Sequence, residues 1–561
     1  MNFFNRKLNQ SVLWFSVFLI SVVFTFIYNN LHFNLSRAPD FQFYTDYISY
    51  FFRDMESTTR EQGLIYFFLV SLTIKMTMFD FGTAGYELVL SNGVLITNYI
   101  LYIVGLIGLF KLLEFKNFER SNIFFTFALM SFFPQTNNLL LTMKPEMLAF
   151  SFLPWSLLSI MIYLEKNNVK YLYLALFSNV LLLSSKATIV GAIGIIYLYI
   201  LIKHWKNFNN LHIVKFLILG VFFLCAVFYE NIIANGKFIL EHTNTNLRYQ
   251  DTANLSILYN INFKELVTNP FRNIHANSLL GIMALDTFGD YFQNYALQDN
   301  SVFTYSRKKI PSLGWITHWT QLISMSLTII FYTLVFKYSS SYKENRVFFL
   351  LPFFGLVILV LQAFGFPQVN FNASMADTFK THYYSYLLII SFAFVVPSFI
   401  SKFKKMRGFI FLLGLVLFFN LYGFLKVDTN GYKEVLTMRN NYSITCNLNN
   451  FLMGDFISSN CGSSEIRICK TPTQLVEKNY FISQDVRSLT YNEYIPGQVL
   501  QSENKTIVPR TILECSKYVN DQYKLQSYLY NSIKFPYLNS IFFLLSIFSM
   551  IYLFFDKKII N

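Results

Sequence analysis

Long apolar runs, separated by short polar segments, dominate this chain. Their lengths match the roughly 17 to 25 residues that an α-helix needs to cross about 30 Å of hydrocarbon. The pattern therefore predicts an all-α polytopic membrane protein. The runs lie at about 11–30, 63–82, 93–112, 122–134, 147–164, 171–203, 214–230, 316–336, 347–366, 383–400, 409–426 and 536–555.

The run at 171–203 is long enough for two helices, so the pattern predicts about 11–13 transmembrane helices. The first run has a basic flank but no small-residue cleavage site, which favours a retained span over a signal peptide. Three regions follow: a multi-span domain at 1–426 with outer loops 31–62 and 231–314, an outer cap at 427–535, and a last helix with a cytoplasmic tail at 536–561.

Composition agrees with a membrane protein. Of 561 residues, 54% are hydrophobic and 14% are charged, whereas a soluble protein carries about 25% charged residues. The net charge of +14 comes largely from Lys and Arg in short loops between apolar runs. Such a distribution indicates orientation by the positive-inside rule and contact with the bilayer, and not nucleic-acid binding.

The basic clusters predict which loops face the cytoplasm. Those at 203–215, 337–346, 402–407 and 557–558 are assigned inside. The segments 231–314, 367–382 and 427–535 then share the outer side. In the first third Lys111, Lys116 and Arg120 also favour the inside, which breaks the parity of crossings. Either the run at 122–134 or part of 171–203 must therefore be re-entrant or fused with its neighbour.

Cysteine placement supports the outer assignment of the cap. Cys225 lies alone within a span, where a buried structural thiol is expected. The other four all lie in 427–535 and predict two disulfides, with three pairings open. Zinc is the alternative, but the spacing lacks a CxxC pair. Short β-rich patterns such as "KTIVPRTIL" predict a small disulfide-linked α/β domain. The four cysteines are Cys446, Cys461, Cys469 and Cys515.

The first outer loop combines carboxylates with aromatic residues. In "SRAPDFQFYTDYISYFF", Asp40 and Tyr44 are four apart, as are Asp46 and Tyr50, so each pair shares a face on a helix. The aromatic residues predict a face that lies in the membrane interface. A carboxylate at that depth is partly desolvated and becomes a better base or cation ligand. The alternative is an interfacial aromatic belt with two solvated aspartates.

Further charged residues lie at the edges of spans, and two aspartates four residues apart lie in the outer loop 231–314. Charges in such places cost about 2.5–3.5 kcal/mol at a helix centre and tend to be retained for a ligand or partner. Together they predict a site that is negative where a sugar hydroxyl is activated and positive where a phosphate is held. Alternatively, the two lysines snorkel to the interface, the aspartates solvate a short helix, and the histidine is an interfacial hydrogen bonder. The residues are Lys144 and Glu146 of "KPE", Lys186, Asp286, Asp290, Lys380 and His382.

The order of these features resembles the GT-C superfamily of integral membrane glycosyltransferases over roughly residues 1–400. Asp40 to Tyr44 resembles that family's acidic and aromatic first loop, and "EQGLIYFF" from Glu61 resembles its entry into the second span. The "KPE" element resembles a basic-Pro-acidic motif and the Lys186 region a K-x-T turn. The segment "KTHYY" resembles a late basic-x-x-Tyr element.

The resemblance implies transfer of a sugar from a polyprenyl-phosphate donor to a glycan, lipid or protein. Asp40 would then be the base or a metal ligand, with Asp46 the second choice. Lys186, Lys380 and His382 would contact the lipid phosphate. No cofactor is certain, and Mg or Mn is the candidate cation, although the adjacent acidic pair of many GT-C members is missing here. The expected location is the bacterial inner membrane, with the site on the outer face. An endoplasmic reticulum membrane, with the site in the lumen and a protein acceptor, is the alternative.

Other functions remain open. An O-antigen-type polymerase or ligase relies on arginines in large outer loops, and this chain offers Arg248, Arg272 and Arg307. A transporter or flippase would show repeats and broken spans, and no clear repeat is present. A non-catalytic assembly role is a further alternative. The chain contains no GxxxxGK[ST] or HExxH motif, so direct use of ATP or zinc-protease chemistry has no support.

Overall fold

The fold is taken from a computed structural model of the chain. The structure describes residues 2–32, 41–53, 62–77, 86–235, 256–268, 270, 275, 278–289, 314–365, 381–422, 457–458, 465–468, 500–502, 505–509 and 531–556.

Helices make up nearly all of the described chain. The first nine are α1 Asn2–His32, α2 Phe41–Arg53, α3 Leu64–Thr77, α4 Tyr86–Phe115, α5 Arg120–Met130, α6 Pro134–Leu140, α7 Glu146–Lys166, α8 Val169–Ser185 and α9 Ala187–Lys203. The next nine are α10 Asn210–Asn235, α11 Ser256–Tyr259, α12 Phe263–Thr268, α13 Leu279–Asp286, α14 Gly314–Ser341, α15 Arg346–Gly365, α16 Ser385–Ile400, α17 Arg407–Tyr422 and α18 Tyr537–Phe555. Short 3₁₀ turns lie at Trp205–Asn207, Lys343–Asn345, Thr381–Tyr384 and Lys404–Met406.

Within the described residues, 8 helices are long and apolar enough to cross a membrane. Leu64–Thr77, Val169–Ser185 and Thr188–Lys203 are apolar but shorter. The helical membrane class is therefore confirmed. The predicted 11–13 spans also counted the runs at 63–82, 122–134, 171–203 and 409–426, in which the described helices are shorter.

The two runs that are candidates for breaking the parity of the crossings each form more than one helix. The run at 122–134 is not one span, because α5 ends at Met130 and a separate helix, α6, starts at Pro134. The run at 171–203 forms two helices of 17 residues each, α8 and α9, which meet at Lys186. Asn179 of α8 accepts a hydrogen bond from Tyr197 of α9 at 2.7 Å, so the two helices fold back on each other.

The basic loops converge at one end of the helix bundle, termed the basic end. Lys404 Nζ lies 3.0 Å from Glu119 Oε2, which joins the loop before α17 to the loop before α5. Lys203 at the end of α9 donates to the carbonyl of Lys343 at 2.7 Å. Arg407 also contacts Asn122. The predicted grouping of basic loops on one side is consistent with these contacts.

The centre of the bundle is formed by α4, α7 and α16. Nearly all of α7 and α16 is buried, whereas α4 also exposes Ile100, Ile103 and Ile107. Close approach of α4 and α7 depends on small residues, because a Cβ at Gly108 would lie 2.6 Å from the Trp155 ring. The Trp155 indole then donates to the carbonyl of Val104 at 3.1 Å, and Ser151 donates to Leu101 at 2.8 Å. Small residues and side-chain hydrogen bonds thus hold the two central helices together.

Between α17 and α18 the described residues form a four-stranded sheet of β1 Ile457–Ser458, β2 Glu465–Ile468, β3 Leu500–Ser502 and β4 Lys505–Pro509. Its order is β1-β2-β4-β3, with β2 and β4 parallel and the other pairs antiparallel. The four cysteines assigned to disulfides lie outside the described residues, so the structure gives those bonds no support and they stay a prediction. The prediction of a buried Cys225 is wrong, because its side chain is exposed on α10.

Candidate functional site

Lys186 occupies the apex where α8 and α9 meet. It is a single extended residue, with φ −162° and ψ 145°, between two helices. Its Nζ lies 2.6 Å from Glu146 Oε1, the first residue of α7, and the two side chains are 11% and 0% exposed. A lysine that snorkels would reach water. Here the amine is buried in an ion pair, so the snorkelling alternative is wrong for Lys186.

Lys144 lies in the buried loop between α6 and α7. Its side chain is 1% exposed, and Nζ lies 2.5 Å from Nε2 of His382. The snorkelling alternative is therefore wrong for Lys144 too. If the ammonium donates, Nε2 must be the acceptor, which requires the neutral imidazole tautomer with its proton on Nδ1. His382 is 2% exposed and is thus an internal partner, not an interfacial hydrogen bonder.

Tyr383 brings the two lysines together. Its ring lies 4.5 Å from Lys186 Nζ and 5.4 Å from Lys144 Nζ, both within cation–π range. Tyr383 also borders a small cleft between α9 and α15, which is lined by Thr188, Ala192 and Gly355. The loop before α7, the apex of α8 and α9, and the turn before α16 therefore meet around one aromatic ring.

Two lysines and one glutamate meet here, and all three side chains are buried. Burial of charged side chains is costly unless they are paired, and Glu146 pairs with Lys186 while Lys144 contacts His382. Oε2 of Glu146, which is fully buried, has no hydrogen-bond partner in the described structure. These groups are suited to hold an anionic ligand with hydroxyl groups nearby.

The start of α3 closes one side of the site. Gln62 forms an isolated antiparallel bridge with Lys186, and the amide of Gly63 donates to the carbonyl of Ser185 at 2.8 Å. Only glycine permits this approach, because a Cβ at residue 63 would lie 2.5 Å from the Ser184 carbonyl oxygen. The backbone of residues 62–63 thus fixes the apex that carries Lys186.

A second polar network fixes the loop that carries Lys144. Tyr66 of α3 donates to Asn98 Oδ1 at 2.8 Å. The Asn98 amide donates in turn to the carbonyls of Leu140 and Thr142, at 2.8 and 2.9 Å. All of these groups are buried, so the loop is held by satisfied hydrogen bonds and not by water.

The first outer loop forms α2 as the sequence predicts, but its aromatic face does not lie free in the membrane interface. Tyr47, Phe51 and Phe52 are buried, and the Tyr47 ring stacks on Phe67 of α3 at 4.3 Å. The Tyr47 hydroxyl accepts the amide hydrogen of Gln62 at 2.9 Å. Protein packing therefore takes the place expected for lipid, because α3 presents a complementary aromatic face.

A strap at residues 531–536, just before α18, covers the end of α2. Asn531 Nδ2 donates to the carbonyl of Phe52 at 2.7 Å, and the amide of Lys534 donates to the carbonyl of Phe51 at 2.9 Å. The Lys534 amine lies 4.6 Å from the Tyr50 ring centre. The last carbonyls of a helix have no partner inside it, so the strap supplies a C-terminal cap for α2.

Asp286 lies at the end of α13 and is fully buried. The alternative of a solvated aspartate on a short helix is therefore wrong for this residue. Gln135 Nε2 donates to the Asp286 carbonyl at 2.6 Å and to Thr381 Oγ1 at 3.2 Å. Because Thr381 precedes His382, these bonds connect α13 to the site through Gln135.

The structure leaves part of the predicted site open. Tyr44 is buried on α2, with its ring 5.6 Å from that of Phe67. Asp46 lies on α2 by its backbone, but its side chain is not described. Asp40, Glu61, Asp290 and Lys380 lie outside the described residues, as do Arg248, Arg272 and Arg307 of the alternative site.

An apolar groove of about 300 Å³ runs between α5, α14, α16 and α17. Phe331, Phe392 and Leu413 line it, as do Phe133 and Phe288. Phe288 follows Thr287 in the chain, and the Thr287 carbonyl accepts a hydrogen bond from Gln135 at 3.2 Å. The lining of the groove therefore adjoins the polar contacts of Gln135.

Residues 83–229 match the family model described as dolichyl-phosphate-mannose-protein mannosyltransferase. The match confirms the resemblance to GT-C glycosyltransferases that the order of motifs predicts, and with the apolar helices it supports a membrane glycosyltransferase of that type. The matched segment contains Lys144, Glu146 and Lys186. No curated protein and no solved structure matches the chain.

Sequence reasoning missed Gln135 as a residue of the site. The segment "KTHYY" includes Tyr383 in a basic-x-x-Tyr element, but the sequence gives no sign of its contact with the two lysines. The polar run "PQTNN" at the end of an otherwise apolar stretch was the available signal for Gln135. Uncharged polar side chains at membrane depth are expected to hydrogen-bond between helices, and Gln135 and Asn137 do so.

Proposed function

We propose that this protein transfers a hexosyl or pentosyl group from a polyprenyl-phosphate donor to an acceptor glycan, lipid or protein. The observation that carries the proposal is the buried cluster of Lys144, Lys186 and His382 around Tyr383, with Glu146 beside it. The matched family's name refers to a lipid-phosphate-linked mannose, and a phosphate is the ligand that this cluster fits best.

The cations would act on the leaving group. As the bond between the sugar C1 and the phosphate oxygen breaks, negative charge accumulates on the polyprenyl phosphate. Ammonium groups fixed in a buried site stabilise that charge more strongly than water-exposed ones, because the local dielectric is low. Lys144 and Lys186 are held in place by His382, Glu146 and Tyr383 before the ligand arrives, so little reorganisation is required.

The acceptor requires a base. In the proposed reaction the acceptor hydroxyl oxygen attacks C1, and its proton passes to a carboxylate, for which Asp40 is the first candidate and Asp46 the second. The packing of α2 against α3, and of residues 62–63 against the Lys186 apex, supports this placement. Among the described residues no group of three or more His, Cys, Asp or Glu could hold a metal ion. A divalent cation at Asp40 stays a prediction.

The apolar groove fits the hydrocarbon chain of such a donor. Its lining is apolar throughout and adjoins the Gln135 contacts that lead to His382. A polyprenyl chain could lie there while the phosphate reaches the lysines. The basic end would face the cytoplasm by the positive-inside rule, and the proposed site would then lie at the outer face of the membrane, which in a bacterium is the inner membrane.

The test compares wild type with Asp40→Asn and Lys186→Met in a strain that lacks the native gene. Lys166→Met, an exposed lysine at the end of α7, is the matched control. Mass spectrometry of lipid-linked sugars and surface glycans is expected to show that wild type and the control attach one sugar that the two site variants do not. The polyprenyl-phosphate donor of that sugar should accumulate in both variants.

Other outcomes would point elsewhere. Complete glycans with Asp40→Asn would remove Asp40 from the catalytic role, and complete glycans with Lys186→Met would remove the lysine. Unchanged glycans without the gene would contradict the transferase proposal itself. Accumulation of complete but unjoined repeat units would instead favour a polymerase or ligase.

A further inference from the structure

One buried amide connects three segments that meet at the site. Gln135 Nε2 donates to the carbonyl of Asp286 at 2.6 Å and to Thr381 Oγ1 at 3.2 Å. Its Oε1 accepts a hydrogen bond from Ser385 Oγ at 2.6 Å. Thr381 and Ser385 stand on either side of His382 and Tyr383. The Gln135 side chain, which is 0% exposed, therefore forms hydrogen bonds at both ends of the turn that carries His382.

The same helix also leads to the lysine that touches His382. Gln135 is the second residue of α6, and the loop after α6 carries Lys144. Lys144 Nζ then lies 2.5 Å from His382 Nε2. The contacts form a closed path from Gln135 through Thr381, His382 and Lys144 back to α6. Movement of the turn relative to Lys144 would break at least one of these contacts.

We propose that Gln135 is a positioning residue for glycosyl transfer. It fixes His382 against Lys144 and ties the buried Asp286 end of α13 to the same point. The kinetic part of this inference rests on the proposed function, whereas the positional part does not. Misplacement of a reacting or binding group by about 1 Å can lower a rate about 100-fold, so loss of the amide is expected to matter even though it contacts no substrate.

Gln135→Glu is the informative variant because it keeps the size of the side chain and the acceptor for Ser385. It replaces the N–H donors by a carboxylate that faces the carbonyls of Asp286 and Thr287. Burial and these carbonyls disfavour the charged form and raise the pKa of the new carboxyl. Once protonated, it can donate one hydrogen bond again. Relative to wild type at the same pH, kcat/KM is expected to fall about 100-fold at pH 8 and to recover about tenfold at pH 6.

Asn137→Asp is the matched control, because Asn137 is also a fully buried amide of α6. Its Nδ2 donates to the Ser131 carbonyl at 2.9 Å, and its Oδ1 contacts Asn29 of α1, away from the His382 turn. A buried carboxylate at residue 137 should destabilise the fold by a similar amount. The kcat/KM of Asn137→Asp relative to wild type should nevertheless not recover at acidic pH. Equal recovery in both variants would reduce Gln135 to a structural role and overturn the proposal.

Hydrogen–deuterium exchange of the full chain tests the position without any substrate. Backbone amides of residues 381–386 are expected to exchange about tenfold faster in Gln135→Glu than in wild type at one pH, with no such change in Asn137→Asp. Equal exchange in all three proteins would overturn the proposal. If exchange rises as expected but wild type transfers no sugar, the proposed function fails and the positioning role stands.

Discussion

Lys186 has a structural role as the partner of Glu146 and a proposed role in phosphate binding. A single substitution at Lys186 removes both. Both side chains are nearly inaccessible to water, so removal of one charge leaves the other buried and uncompensated. Lys186→Met is expected to destabilise the protein by about 3–5 kcal/mol. The double variant Lys186→Met/Glu146→Gln should recover most of that loss. Thermal unfolding in detergent measures all of these variants.

Sugar transfer should not follow stability in this series. The double variant restores the fold but still lacks the cation proposed for the phosphate, so transfer should remain at the level of Lys186→Met. Transfer that returns together with stability would show that Lys186 has only a structural role.

The pair between Glu119 and Lys404 at the basic end predicts a small pH dependence. Burial acts to raise the pKa of Glu119, but the hydrogen bonds from Lys404 and Ser121 outweigh it and the pKa is lowered. A lowered pKa means that the contribution to stability is present above the usual carboxyl range and is lost as the pH falls through the folded-state value. The pair is partly exposed, with side chains 52% and 30% accessible, so the contribution is at most about 1 kcal/mol.

Thermal unfolding of wild type and Glu119→Gln at several pH values checks this expectation. Wild type should be slightly more stable at pH 7, and the difference should disappear as the pH approaches 3. A difference that grows on acidification would contradict the sign.

Single residues of the site were largely predictable, whereas their pairing was not. Lys144, Glu146, Lys186 and His382 were all identified because charged or titratable residues at the edges of apolar runs are costly unless a partner holds them. Their contacts join positions 40 residues apart for Lys186 and Glu146, and 238 apart for Lys144 and His382. No local pattern encodes which loop meets which.

Helix ends proved harder to predict than helix interiors. Lys186 interrupts an apolar stretch without any proline or glycine beside it, so only the length of the run at 171–203 and the resemblance to a K-x-T turn predict that two helices meet there. The break depends on tertiary partners, namely Glu146 for the side chain and residues 62–63 for the backbone. The same holds for α2, whose predicted membrane face is covered by α3.

Substitution of Gly63 tests the contact between the start of α3 and the Lys186 apex of α8 and α9. Gly63→Ala places a methyl group 2.5 Å from the Ser184 carbonyl oxygen, and backbone on both sides must move apart. We expect a loss of about 1–3 kcal/mol in stability, and at least a tenfold loss of transfer, because the Lys186 apex shifts.

Gly194→Ala is the control within α9, because a Cβ there meets nothing within 4 Å. It should be neutral or stabilising by up to about 1 kcal/mol, since alanine favours a helix over glycine. Equal effects of the two substitutions on transfer would contradict the importance of the contact at residue 63.

The groove adjoins the Gln135 contacts and makes a prediction about donor chain length. Leu413 lines it, so Leu413→Trp should fill the space that a long polyprenyl chain would occupy. The KM for a long-chain donor is expected to rise at least tenfold, whereas a donor with one short isoprenoid chain should be used as well as by wild type. Kinetics with the two donors measure the difference.

Leu412→Trp is the control for this experiment, because Leu412 is 58% exposed on the neighbouring face of α17 and does not line the groove. It should leave both KM values near those of wild type. Equal losses for the two donors with Leu413→Trp would indicate a general disturbance of the helices and would count against the groove as the chain site.

The strap over α2 also bears on the order in which the protein is made. The contact between Asn531 and Phe52 joins residues 479 positions apart. A ribosome must therefore synthesise nearly the whole chain, at about 5–20 residues per second, before α2 receives its C-terminal cap. For about 25 to 100 seconds after it emerges, α2 lacks its final partner. The helix that carries Asp46 would thus complete its fold only when α18 enters the membrane, which delays assembly of that part of the site until the end of synthesis.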